Sequence, residues 1–171
     1  MSSRPSAFAT TNPATFEGRA RIFRLQEMLA WPPPEWLIQN WLPKGTMSGL
    51  YGPPGAGKSM LALDWALCVA TGRPWNDCRV QQGYALYIAA EGHSGQARRA
   101  RAWLQRASLT ATDVQQFGFV KERIAITEAS EDYDVLFSRL EEEVQRVPTF
   151  VIIDTLARSI DGDENISVDM V

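Results

Sequence analysis

Histidine, cysteine and long apolar runs are all scarce in this chain. One histidine, His93, and two cysteines, Cys68 and Cys78, stand among 171 residues. Two thiols cannot build a disulfide scaffold, and with a single imidazole they give a zinc site little to draw on, so reduced thiols are the default. No stretch reaches the roughly 18 apolar residues of a membrane-spanning helix, which excludes a helical membrane protein. The first 15 residues carry one arginine and no apolar block, so they are not a secretory signal. They read as part of a disordered tail, residues 1–25, of a cytoplasmic protein. An excess of positive charge is also missing: 17 basic against 20 acidic side chains leave −3, which argues against a dedicated basic nucleic-acid module. No internal repeat is visible.

What is present is an ordinary globular balance, 45% hydrophobic and 22% charged, enough for one core of common domain size. The charge is unevenly spread: residues 1–50 sum to +2, residues 51–110 to +4 and residues 111–171 to −9. Such asymmetry marks either a surface for polyanions or for another copy of the chain, or simply solvated helix faces.

The proline-rich turn Trp31-Pro32-Pro33-Pro34-Glu35-Trp36 ends a short helix over Ile22–Leu29, because proline lacks the amide and restricts the residue before it. Three apolar runs, Met47–Tyr51, Gly83–Ala90 and Thr149–Asp154, suit strands buried on both faces of a parallel sheet. Phe117–Ile126 is expected to add a fourth, short strand. Helical patterns lie between them. Ser59–Thr71 is apolar almost all round, with Asp64 its only charge and Gly72 as its stop. Ser94–Ser108 repeats Ala97, Ala100, Leu104 and Ala107, with Arg98, Arg99, Arg101 and Arg106 on other faces. Glu131–Val147 aligns Tyr133, Leu136, Phe137, Leu140 and Val144, and Pro148 ends it. Alternating strands and helices of this length predict a three-layer α/β domain.

After the first expected strand comes Gly52-Pro53-Pro54-Gly55-Ala56-Gly57-Lys58-Ser59, which satisfies G-x-x-x-x-G-K-[ST] and opens the apolar helix. Glycines let successive amides face one point and the helix dipole adds to that field, making a cradle for β- and γ-phosphates. Lys58 supplies a movable positive charge and Ser59 a hydroxyl for Mg2+. Met60, next in the helix, completes the expected nucleotide-binding segment Gly52–Met60. Phe150–Asp154 is an apolar strand ending in a carboxylate, and in a parallel sheet Asp154 falls on the same edge as the phosphate loop, where it serves the metal. Glu91 follows directly on the strand Gly83–Ala90 and is the candidate base for activating water, alongside Lys58 in the catalytic set. His93 receives no role.

Together these residues resemble the RecA-like P-loop ATPases, and within them the RepA-type replicative helicases and related AAA-domain proteins of phages and plasmids. The resemblance rests on Trp36-Leu37-Ile38 with Leu42-Pro43-Lys44-Gly45, the loop GPPGAGKS, YIAAEG, ARRARAWL and IIDTLARSIDGDEN, in that order from about Trp31 to Asn165. It implies a homo-hexameric ring with ATP between neighbours, Glu91 as catalytic glutamate, Lys58 and Ser59 on phosphate and metal, Asp154 completing the metal site, and single-stranded DNA as partner. In such proteins the strand after Asp154 lies between the phosphate-loop and Asp154 strands. The chain reaches Val171 before any such strand, so residues 26–171 are expected to be the N-terminal part of a RecA-like domain, with an incomplete sheet and almost no turnover in isolation.

Other signals are weaker. Asp161-Gly162-Asp163-Glu164-Asn165 alternates oxygens as a calcium loop does, but Ile166 stands where that loop needs glycine, so it reads as a flexible acidic loop. Trp31, Trp36, Trp41, Trp65, Trp75 and Trp103 suit core or interface positions, and none is singled out as a base platform. The arginines of the third helix suit a neighbour, a phosphate backbone or solvent, and Arg158 stands close after Asp154. The expected activity is Mg-dependent ATP hydrolysis by the motor domain of a helicase-like replication or recombination protein. A small-molecule kinase and a nucleotide-binding fragment without turnover are the alternatives.

Overall fold

The computed structural model describes residues 23–90, 95–124 and 131–155. Glu91, His93, Arg158, the acidic loop Asp161–Asn165 and most of the expected N-terminal tail lie outside them. The chain divides into two compact units, Met1–Pro33 and Pro34–Val171. In the first, helix α1 spans Leu25–Leu29. Glu27 caps it by accepting the Arg24 amide at 2.8 Å, and Phe23 meets Trp31 edge to face at 5.2 Å.

The second unit opens with an antiparallel pair, β1 (Trp36–Ile38) and β2 (Leu42–Pro43). Helix α2 (Lys58–Thr71), β3 (Ala85–Ala89), α3 (Gln96–Ala107), β4 (Phe117–Val120), α4 (Asp132–Arg139) and β5 (Phe150–Asp154) follow. The last three strands form a parallel sheet of order β4-β3-β5, with Tyr87 opposite Phe119 on one side and Ile152 on the other. Parallel strands need helical crossovers, and the helices between these strands cover both faces.

Strand β3 is buried throughout, and its two faces serve two cores. Ala85, Tyr87 and Ala89 pack with Leu63, Ala66, Leu67 and Ala70 of α2. Leu86 and Ile88 pack with Leu140, supported by Leu136, Phe137 and Val144. This period-two division places α2 and α3 on one side of the sheet and α4 on the other, the expected three layers. Helix α2 buries seven residues, Leu63 and Trp65–Ala70, in keeping with its nearly continuous apolar sequence, and it ends at Gly72 in the left-handed conformation. On β4, Gly118 lies where the Tyr84 hydroxyl occupies the place a Cβ would take.

Three expectations are corrected. Met47–Tyr51 forms no strand: Met47 and Tyr51 are 97% and 95% exposed. A strand exists through its ladder partner, and among the described residues none pairs with this segment. The helix expected over Glu131–Val147 stops at Arg139, passes into a π-helical turn over Leu140–Val144, and ends at Gln145 with φ 53°. In α3, Ala97 is exposed while Gln96 is buried. The inward stripe therefore runs Gln96, Ala100, Trp103, Ala107 and begins with a polar residue. No helix among the described residues is long and apolar enough to cross a membrane.

Candidate functional site

The loop Gly52–Ser59 leads into α2, and its shape depends on glycine. Gly55 and Gly57 have φ of 79° and 87°, where side-chain-bearing residues are strained. A Cβ at either would meet nothing within 4 Å, so conformation and not space requires glycine there. Gly57 is the residue before the helix, and no side chain caps it. The amides of Met60 and Leu61 donate to the Gly57 carbonyl, both at 3.0 Å, which leaves those of Lys58 and Ser59 available to an anion, reinforced by the helix dipole. Lys58 is held at the loop: its ammonium donates to the carbonyls of Gly52 at 2.7 Å and Pro53 at 2.9 Å. One of its three N–H groups remains for a further acceptor.

The carboxylate of Asp154 stands at the end of β5 opposite Ala89. Ala90, which precedes Glu91, donates its amide to the Asp154 carbonyl at 2.9 Å. The ends of β3 and β5 are therefore fastened together where the chain enters residue 91. Tyr87 bridges the loop and this carboxylate. Its hydroxyl donates to Asp154 Oδ2 at 2.5 Å and lies 3.5 Å from the Ser59 carbonyl. The hydroxyl has one proton, which goes to the carboxylate as the shorter, charge-assisted bond. Gln96 Nε2 donates back to the Tyr87 oxygen at 3.1 Å. Burial, reinforced by the bond to Asp154, pushes the Tyr87 hydroxyl well above the usual phenol range, so it stays a proton donor at neutral pH.

Among the described residues no cluster of three or more His, Cys, Asp or Glu side chains could hold a metal. Mg2+ does not need one: it takes hard oxygen ligands, commonly one or two carboxylates with substrate phosphates, and retains water. Asp154, whose Oδ1 has no hydrogen-bond partner among the described residues, and the Ser59 hydroxyl are oxygen donors of that hard type.

Beside the loop, α2 and α3 enclose a groove of about 560 Å³ lined by Met60, Leu61, Asp64, Arg99, Trp103 and Arg106 among others. None of Arg98, Arg99, Arg101 and Arg106 forms an ion pair among the described residues. Asp64 accepts the indole N–H of Trp75 at 2.8 Å and of Trp103 at 2.6 Å, so the one acidic residue of the apolar helix clasps α3 to it. One turn on, burial and the neighbouring Asp64 carboxylate push the Cys68 thiol from its ordinary 9.0 up to about 12. The tryptophans divide: Trp65 and Trp75 are buried and in edge-to-face contact at 5.6 Å, while Trp31 and Trp41 are half exposed.

The structure thus brings the main-chain carbonyl of Ser59 and the Asp154 carboxylate to either side of the Tyr87 hydroxyl and holds Lys58 inside the loop. Sequence reasoning missed Tyr87 and Gln96. The available signal was a tyrosine inside an otherwise aliphatic, fully buried strand, whose hydroxyl must find a polar partner.

Comparison with curated proteins gives no match. The profile of the family described as AAA domain matches residues 21–170, a span that includes the phosphate loop, the parallel sheet and Asp154. The chain therefore belongs to the AAA domain family of P-loop ATPases.

Proposed function

We propose that this chain binds ATP with Mg2+ at Gly52–Ser59 and Asp154 and belongs to the hydrolytic motor of a helicase-like replication or recombination protein of RecA-like type, acting on single-stranded DNA as a homo-hexamer. The observation that carries the nucleotide part is the loop itself: left-handed Gly55 and Gly57 shape it, Lys58 is held within it by the Gly52 and Pro53 carbonyls, and the Tyr87 hydroxyl that donates to Asp154 lies 3.5 Å from the main-chain carbonyl of Ser59. In this reading Lys58 and the α2 amides hold β- and γ-phosphate oxygens, Met60 begins the wall against which the rest of the nucleotide lies, and Arg99 offers a planar cation to its base. Bound Mg2+ supplies charge neutralisation across the phosphates. Ser59 and Asp154 would hold it, Asp154 through water.

Glu91 serves as base. The bond from Ala90, the residue before it in sequence, to the Asp154 carbonyl supports that role. The unpaired arginines of α3 support an anionic partner.

Calorimetry with ATP tests the first part: Lys58→Ala should lose most affinity while the far-UV spectrum is unchanged, and unaltered affinity would remove the loop from the reading. Stimulation of phosphate release by single-stranded DNA tests the second. Turnover that requires a small-molecule acceptor would favour a kinase, and nucleotide binding without any turnover would favour a regulatory binding module.

A further inference from the structure

Gln96 is 4% exposed and its Oε1 has no hydrogen-bond partner among the described residues. The orientation of this amide follows from its neighbour. The Tyr87 oxygen has committed its proton to Asp154, so it can only accept from Gln96, which turns Nε2 toward tyrosine and leaves Oε1 over. An unpaired buried carbonyl costs free energy, and natural structures keep few of them. Three groups therefore form one chain, Gln96 to Tyr87 to Asp154, whose buried end is held at the cost of an unpaired carbonyl.

We propose that Tyr87 and Gln96 are positioning residues for the metal site. The Tyr87 hydroxyl occupies Oδ2 of Asp154 and so leaves Oδ1 for the metal, while Gln96 fixes the tyrosine by donating Nε2 to its oxygen. The inference rests on Asp154 serving Mg2+. Packing alone explains the arrangement poorly. The Tyr87 ring already stacks with Phe119 at 5.8 Å and fills the α2 face of the sheet, and a phenylalanine would do both without burying a hydroxyl. Groups that hold metal ligands from behind typically alter metal affinity by about 10- to 100-fold when removed.

The experiment uses the whole chain, a fluorescent ATP analogue and Mn2+, with free Mn2+ counted by electron paramagnetic resonance. Tyr87→Phe should raise the Mn2+ concentration for half-saturation of the nucleotide complex about tenfold, with analogue affinity in EDTA held within about twofold. Gln96→Met should move the same quantity in the same direction by less. A half-saturation unchanged in both variants, or an equal loss of affinity with and without metal, would overturn the proposal. If Tyr87→Phe fails to fold, Gln96→Met decides alone: a raised half-saturation supports the proposal and an unchanged one overturns it. Asp154→Ala separates the underlying reading, because Mn2+ dependence unaffected in that variant removes Asp154 from the metal site altogether.

Discussion

Trp103 of α3 donates its indole N–H to Asp64 of α2 at 2.6 Å, and Trp75 donates to the second carboxylate oxygen at 2.8 Å. Each bond has a charged acceptor, for which about 1.5 to 3 kcal/mol is usual. Asp64→Ala strands both indoles and should lower unfolding stability by about 3 kcal/mol, less than the sum because Trp103 is only half-buried. Asp64→Asn retains an acceptor and should lose about half as much. Urea midpoints of the two variants check this, and an Asp64→Ala variant as stable as the parent would show that the clasp contributes nothing.

Cys68 gives stability a dependence on alkaline pH. Its thiol is raised from 9.0 to about 12 in the folded chain, so the unfolded chain releases this proton first. Between those values the folded state binds more protons, and stability falls as pH rises from about 9 toward 12, with no contribution below that window. Tyr84, also raised by burial, adds to the decline from about pH 10 upward, within the phenol range. Urea midpoints measured at pH 8 and pH 10.5 should therefore diverge less in Cys68→Ala than in the parent. Under native conditions at pH 8 an aromatic disulfide reagent should titrate the half-buried Cys78 well before Cys68.

Gly57 tests whether the loop's shape or its space matters. At φ 87° with nothing near an added Cβ, Gly57→Ala meets no clash but pays for the left-handed conformation, about 1 to 2 kcal/mol. If the loop relaxes to avoid that cost, the amide cradle opens, and ATP affinity should fall by about tenfold, the equivalent of about 1.4 kcal/mol. Gly57→Asn should lose less, because asparagine visits that region more readily. Equal losses in the two variants, measured by calorimetry, would point to the side chain and not the backbone.

The parts legible in the sequence were those that local pattern decides. The apolar run of α2 with Gly72 behind it, the buried strand β3 and the strand ending at Asp154 all appear within a residue or two of expectation, because burial on both faces leaves a continuous apolar signature. The same signature misled at Met47–Tyr51, where strand formation depends on a neighbour that pattern does not encode. The β1–β2 pair escaped because three- and two-residue strands show no period. In α3 the repeat of apolar residues pointed to Ala97, but Ala97 is exposed and the buried place beside it is Gln96, which donates to the Tyr87 hydroxyl. Tyr87 itself was visible as a residue and invisible as a role, since its partner Asp154 lies 67 positions away.

The base is the remaining test of the proposed chemistry. Strand β3 is tied to β5 through Ala90 and Asp154, and Glu91 follows Ala90 in the sequence. A base orients and deprotonates water without holding phosphate or metal, so the loss of Glu91 should appear in turnover and not in binding. Glu91→Gln keeps size and polarity but removes the basic oxygen, and a positioned base is worth about 10² to 10⁴ in rate. Single-turnover hydrolysis should slow within that range while ATP affinity in the presence of Mg2+ stays within about twofold of the parent. Hydrolysis at the parent rate would assign the base elsewhere, and a parallel loss of affinity would make Glu91 a ligand-holding residue instead.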